Sequence, residues 1–226
     1  MKTKPVLDTY KLFLLSLPLI GIGSFIFFYF MAAKYYPGGS WILPDKNGFS
    51  FWHNYLCDLL DINAINGEPN KGRTYAITAL CLLCLGIFFL WSLLPKLFKT
   101  KNNIQKIMSA SGYLSLLTIL FLALGNHDVI VRIAGVFGVV AFIACCVELN
   151  RTNHKKLFLL GLVCIITFLS NYYIYETGIY IKALPVVQKF TFALFISWFI
   201  GLDMALYRVV RQSYYIENQN QNQVSR

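Results

Sequence analysis

Charge is scarce in this chain. Lys, Arg, Asp and Glu together make up 13% of its 226 residues, about half of the roughly 25% usual in a soluble domain. Hydrophobic residues make up 57% and the mean hydropathy is +0.58, so the composition points to a membrane. Catalytic signatures are lacking too: there is no phosphate-cradling glycine loop, no serine-centred elbow and no HExxH motif. A serine hydrolase stays open, but nothing singles out its nucleophile. Only three histidines occur, His53, His127 and His154. A three-histidine zinc site needs all of them on one side of the membrane, and the topology below puts His154 apart. A two-histidine site completed by Asp58 or Asp128 stays geometrically open, yet the reading expects no resident metal and no cofactor. Cysteine gives no disulfide framework: five of the six lie in apolar stretches, where a thiol behaves as a small hydrophobe, and only Cys57 faces the outer side. Cys81 and Cys84 have redox-motif spacing, but no His or charge is placed to activate them.

What the chain has in plenty is apolar runs. A helix needs about 20 apolar residues to cross a bilayer, and six stretches qualify or nearly so: 12–31, 74–94, 107–124, 129–147, 157–173 and 186–210. The fold class expected is all-α, a polytopic bundle of six transmembrane helices forming one membrane domain over 1–211, with a polar, unordered tail over 212–226. The first run follows Lys2, Lys4 and Lys11 but is too long for a signal core and lacks a small-x-small cleavage site, so it reads as a retained anchor.

The net charge of +10 raises the question of nucleic acid. Its distribution answers it. If the N-terminus is cytoplasmic, the inner segments collect Lys96, Lys99, Lys101, Lys106, Arg151, Lys155, Lys156, Arg208 and Arg211 as well as the N-terminal lysines. The short outer connections have almost none. This is the positive-inside pattern, placing both termini in the cytoplasm. The basic excess is then a topology signal with affinity for anionic lipid headgroups, and nucleic acid is not an expected partner.

The outer loop over 34–73 is the one long connection. "KYYPGGSW" opens it with a turn beside interfacial aromatics. In "NGFSFWHNYLCDLLD", apolar residues at 52, 55, 56, 59 and 60 oppose polar ones at 53, 54, 57, 58 and 61, a helical spacing. Ser50 is placed to cap its start. The segment is too short to span, so a short interfacial helix is expected, with its charges on the wet face. "INGEPNKGR" then turns the chain into the second span.

Candidate functional residues gather on this outer side. Asn54, Asp58 and Asp61 share a helical face beside His53. His127, Asp128 and Arg132 lie across the outer surface. Arg132 sits one turn inside its span, a costly place unless paired, so Asp58 or Asp128 is its expected partner, either lining a headgroup pocket or pinning the helix to the bundle. Asp203 falls near the inner interface by helical rise, and the spans lack the broken helices of a coupled transporter. "SASGYLS" and "GVFG" supply small residues for close helix packing.

From "HNYLCDLL", a Gly/Pro turn and "RTYAITALCLLCLG", the chain resembles bacterial six-span membrane proteins of unknown function related to the Frag/DRAM/Sfk superfamily. Asn54-Tyr55-Leu56-Cys57-Asp58-Leu59 stands at that family's N-x-x-S-D-L-type segment, with Cys57 where a serine is common. "GNHDVIVRIAGVFGVVAF" stands at its second, His-bearing segment. The resemblance implies a bacterial inner-membrane protein with an outward-facing, lipid-related role. Three readings follow. In the first, the outer face binds a lipid headgroup or a partner membrane protein without catalysis: Asp58 and Asp61 act as acceptors, Arg73 and Arg132 hold phosphate, and Asn54 fixes geometry. In the second, a lipid-modifying hydrolase or transferase uses His53 or His127 as base, oriented by Asp58 or Asp128. The third is an accessory subunit of a larger membrane complex.

Overall fold

The computed structural model describes residues 9–98, 100–124 and 127–224, with the backbone alone at 9, 123, 124, 127, 215 and 217–224. Among the described residues six α-helices follow one another: α1 (Thr9–Lys34), α2 (Arg73–Leu93), α3 (Asn103–Leu120), α4 (His127–Arg151), α5 (Lys155–Thr177) and α6 (Leu184–Val224). Local chemistry sets several of their ends. Asn102 caps α3 by accepting from Gln105 N. Gly178, at φ 70° beyond α5, closes that helix by donating to Ile174 O. Pro185 sits in the first turn of α6, where its missing N–H costs nothing.

The helices pair in sequence as antiparallel hairpins: α1 with α2, α3 with α4, and α5 with α6. α6 also packs on α1 and α2 and so closes the bundle. In the first hairpin Gly21 and Gly86 bring two backbones together, with a Cβ built at Gly21 falling 2.7 Å from Gly86 Cα. At the centre, Phe142 stacks on Trp198 at 4.0 Å, and the Trp198 indole donates to Leu157 O at 2.8 Å. Gly161 leaves room for that indole, since a Cβ there would lie 3.0 Å from Trp198 Nε1.

The outside of the bundle is apolar and much of its polarity is inside. Phe27, Phe30, Val136, Ile166 and Phe190 are exposed, whereas Asn54, Asp58, Glu148, Lys189 and Asp203 are buried. Five helices, all but α3, are long and apolar enough to cross a membrane. α3 falls short on hydropathy, because it includes Asn103, Gln105, Lys106, three serines and Thr118. It turns this polarity onto its neighbour: Ser115 donates to Ala134 O in α4, and Gln105 donates to Glu148. Buried Glu148 also accepts from Asn102 and from Arg151, which clamps that end of the second hairpin. α6 runs past the apolar stretch to Val224, so the tail expected to be unordered from 212 is helical there; extending a formed helix needs no new nucleus.

Residues 35–72 form a compact cap between α1 and α2. The expected amphipathic helix over 50–61 is absent. The chain turns at 51–53 and forms only a single 3₁₀ turn, Cys57–Leu60. The faces differ from the expectation as well: Asn54 and Asp58 are buried while Phe51 and Trp52 are exposed. The cause lies in the polar side chains. Asn54 Oδ1 accepts from Ser50 N and Asp58 Oδ2 from Tyr55 N, so local side-chain bonds displace the helical ladder.

Candidate functional site

Asn54 and Asp58 sit at the centre of the cap, where it meets α1 and α6. Asn54 Nδ2 donates to Asp58 Oδ2 at 2.8 Å and to Gly39 O at 2.7 Å. Gly39 can serve here because its φ is +82° and a Cβ would strike Asn66 N at 2.5 Å. A backbone without helical partners needs others, and the helices supply them. Lys189 of α6 donates to Asn54 O and to Pro185 O. Its neighbour Gln188 accepts from Leu56 N at 2.9 Å. Tyr29 of α1 donates to Leu56 O at 2.7 Å.

Lys189 is the side chain the sequence reading overlooked. It is 8% exposed and its ammonium lies 5.3 Å from the Phe51 ring centroid and 5.8 Å from that of Phe49, within cation–π range. A signal was present in the sequence: a lysine one turn beyond Pro185 in an apolar run has to find a partner. Asn70 is a second omission. Its Nδ2 donates to Leu59 O and Asp61 O, and its Oδ1 accepts from Gly72 N, tying the 3₁₀ turn to the start of α2.

Burial raises the Asp58 carboxyl to about 6, against hydrogen bonds from Asn54 and Tyr55 N and the nearby Lys189 ammonium, which lower it. Burial likewise pushes the Cys57 thiol up to about 12, with Asp58 and Asp61 adding to the effect. Cys57 therefore stays protonated at neutral pH and is a poor nucleophile.

The other candidates do not join this centre. His53 Nδ1 lies 2.9 Å from Ser50 Oγ, and no described histidine side chain contacts a carboxylate. His127 begins α4, but its side chain lies outside the described residues. Arg132 pairs with Glu176 at 2.8 Å, and Asp128 accepts from Tyr175. The expected pairing of Arg132 with Asp58 or Asp128 is thus replaced by two α4–α5 contacts, because Glu176 and Tyr175 lie opposite on the neighbouring helix. Arg73 directs its Nε to Leu60 O at 2.9 Å, and Asp61 is exposed. Among the described residues, no three His, Cys, Asp or Glu side chains gather as a metal site.

Fold and site together define an all-helical chain whose helices suit an integral membrane protein. No family model, curated protein or solved structure matches it.

Proposed function

We propose that this is a non-catalytic, multi-pass protein of a bacterial inner membrane, with both termini cytoplasmic, whose outer cap binds lipid headgroups. Kinship with the Frag/DRAM/Sfk superfamily belongs to the same proposal. One observation carries it: the cap turns Asn54 and Asp58 inward, towards Lys189 of α6, and presents Trp41, Phe51, Trp52 and Ile62 outward. The inward groups are engaged in holding the cap on α1 and α6. The outward ones are aromatic and apolar, the side chains that settle at the headgroup level. Native mass spectrometry from a mild detergent tests this on wild type beside Trp41→Ser/Trp52→Ser and Asp58→Asn. The tryptophan variant is expected to retain fewer phospholipids per chain than wild type, and equal numbers overturn the reading. Bare monomers throughout overturn the reading, and a co-purifying protein replaces lipid with a partner membrane protein, the accessory-subunit role.

The hydrolase reading keeps one supporting contact, Ser50 Oγ to His53 Nδ1 at 2.9 Å. It lacks an orienting carboxylate in the described residues, and Ser50 is 4% exposed. Covalent labelling of Ser50 by a fluorophosphonate probe would establish it against the binding role.

A further inference from the structure

At the end of the bundle opposite the cap, a cavity of about 290 Å³ opens between α1, the end of α2 and α6. Its floor is apolar: Leu15, Leu93, Val209 and Val210. Among the described residues its charged groups are Lys11 and Lys96, and no acidic side chain lines it. The Lys11 ammonium lies 5.6 Å from the Tyr214 ring centroid, another wall of the cavity, which holds the charge at the rim. Just outside, Tyr10 and Phe13 are exposed, as befits side chains meeting lipid.

We propose that this cavity binds the headgroup of an anionic phospholipid, its phosphate between Lys11 and Lys96 and the start of an acyl chain on the valine–leucine floor. Two ammonium groups donate to phosphate oxygens with charge assistance. A zwitterionic headgroup would bring a second ammonium to a site already lined by two lysines, with no carboxylate among its described residues, so the choice falls on a net negative lipid. A free phosphate would satisfy the lysines but leave the apolar floor without an occupant. The site also sits where the chain gathers its positive charge: Lys101, Lys106, Arg151, Lys155, Lys156, Arg208 and Arg211 are all exposed at this end. The inference rests on the membrane reading of the helices and is independent of the cap.

The test is native mass spectrometry of the full chain with phosphatidylglycerol or phosphatidylcholine at equal mole fraction. The variants are Lys11→Gln/Lys96→Gln, Val209→Phe to fill the cavity without changing charge, and Lys101→Gln/Lys106→Gln as a charge-matched control. Wild type is expected to retain phosphatidylglycerol in preference. That retention should fall roughly thirtyfold in the Lys11/Lys96 variant, from two lysines at an anionic lipid. It should fall too in Val209→Phe and hold in the control. Equal retention of both lipids, or equal loss in both lysine pairs, overturns the proposal. Glycerol phosphate displacing phosphatidylglycerol overturns it in favour of a soluble anion. Tryptophan variants of the cap are expected to leave this retention intact, so the two sites fail separately.

Discussion

Asp58 shows how a single buried carboxyl ties the cap's stability to pH. Its folded pKa of about 6 stands above the ordinary value of 3.8, so the folded state holds the proton more tightly than the unfolded one. Its contribution is full below about pH 4 and is lost as pH rises towards 6, a change on the order of 2–3 kcal/mol at most. The groups acting on it are Asn54, Tyr55 N, Asp61 and Lys189. In Asp58→Asn the new amide oxygen can keep both hydrogen bonds that Oδ2 now accepts, while the titration disappears. Thermal unfolding between pH 4 and 7 is therefore expected to show wild type losing stability relative to Asp58→Asn as pH rises. A constant difference would mean that the carboxyl titrates normally. Lys189 makes the complementary case. Lys189→Met keeps the stem against Phe49 and Phe51 but removes the donor to Asn54 O and Pro185 O. A hydrogen bond from a charged group is worth about 1.5–3 kcal/mol, so tryptic cleavage at Lys46 or Lys71 should speed up about tenfold or more, with helix content unchanged. Cleavage at the wild-type rate would show the cap to be held elsewhere.

Among the elements, α1 and α2 cross with their backbones in close contact at Gly21 and Gly86. A Cβ at Gly21 would meet Gly86 Cα and Leu82 O, both at 2.7 Å and both backbone, while one at Gly23 would meet nothing within 4 Å. Gly21→Ala is expected to lower the unfolding midpoint by the roughly 1–3 kcal/mol of an overpacked site. Gly23→Ala, on the same helix, should be neutral or slightly stabilising through helix propensity; equal effects of the two would show that the crossing is looser. The crossing is hard to read in sequence, where "GIGSF" gives no sign that one glycine is packed and the other open. The long helices were legible, because an apolar run of bilayer length has few alternatives to a helix. The cap was not. The spacing of Trp52, Tyr55, Leu56, Leu59 and Leu60 matched a helix, but periodicity does not weigh the local bonds that Asn54 and Asp58 make to Ser50 N and Tyr55 N. Asn54 and Asp58 meet through a turn and not on a helical face, and their inward direction depends on Tyr29, Gln188 and Lys189, far away in sequence. Arg132 was rightly expected to seek a carboxylate, but α5 supplied Glu176, a residue no local pattern connects to it.

For the whole molecule, orientation reduces to parity, and α3 decides it. Its 18 residues rise about 27 Å, just under the roughly 30 Å of a hydrocarbon core, and the 3₁₀ turn Phe121–Leu124 extends it. If α3 crosses, the bundle has six crossings and the two ends of the chain share a side. If it does not, five crossings remain and α4, α5 and α6 are inverted. Inversion would carry exposed Arg151, Lys155, Lys156, Arg208 and Arg211 across to the outer side, against the positive-inside bias. It would also break the antiparallel pairing in which Gln105 and Asn102 at the start of α3 hold Glu148 near the end of α4. Charge and packing favour the proposed six crossings, while five helices among the described residues qualify by length and composition. Single cysteines in a cysteine-free background, at Asn47, Asn102, Asn153 and Tyr180, make the argument measurable with a membrane-impermeant maleimide on intact cells. Labelling at 47 and 180 with protection at 102 and 153 is the expected result. Labelling at 47 and 153 with protection at 102 and 180 would show that α3 stays on the inner side, and the six-span arrangement would fall with it.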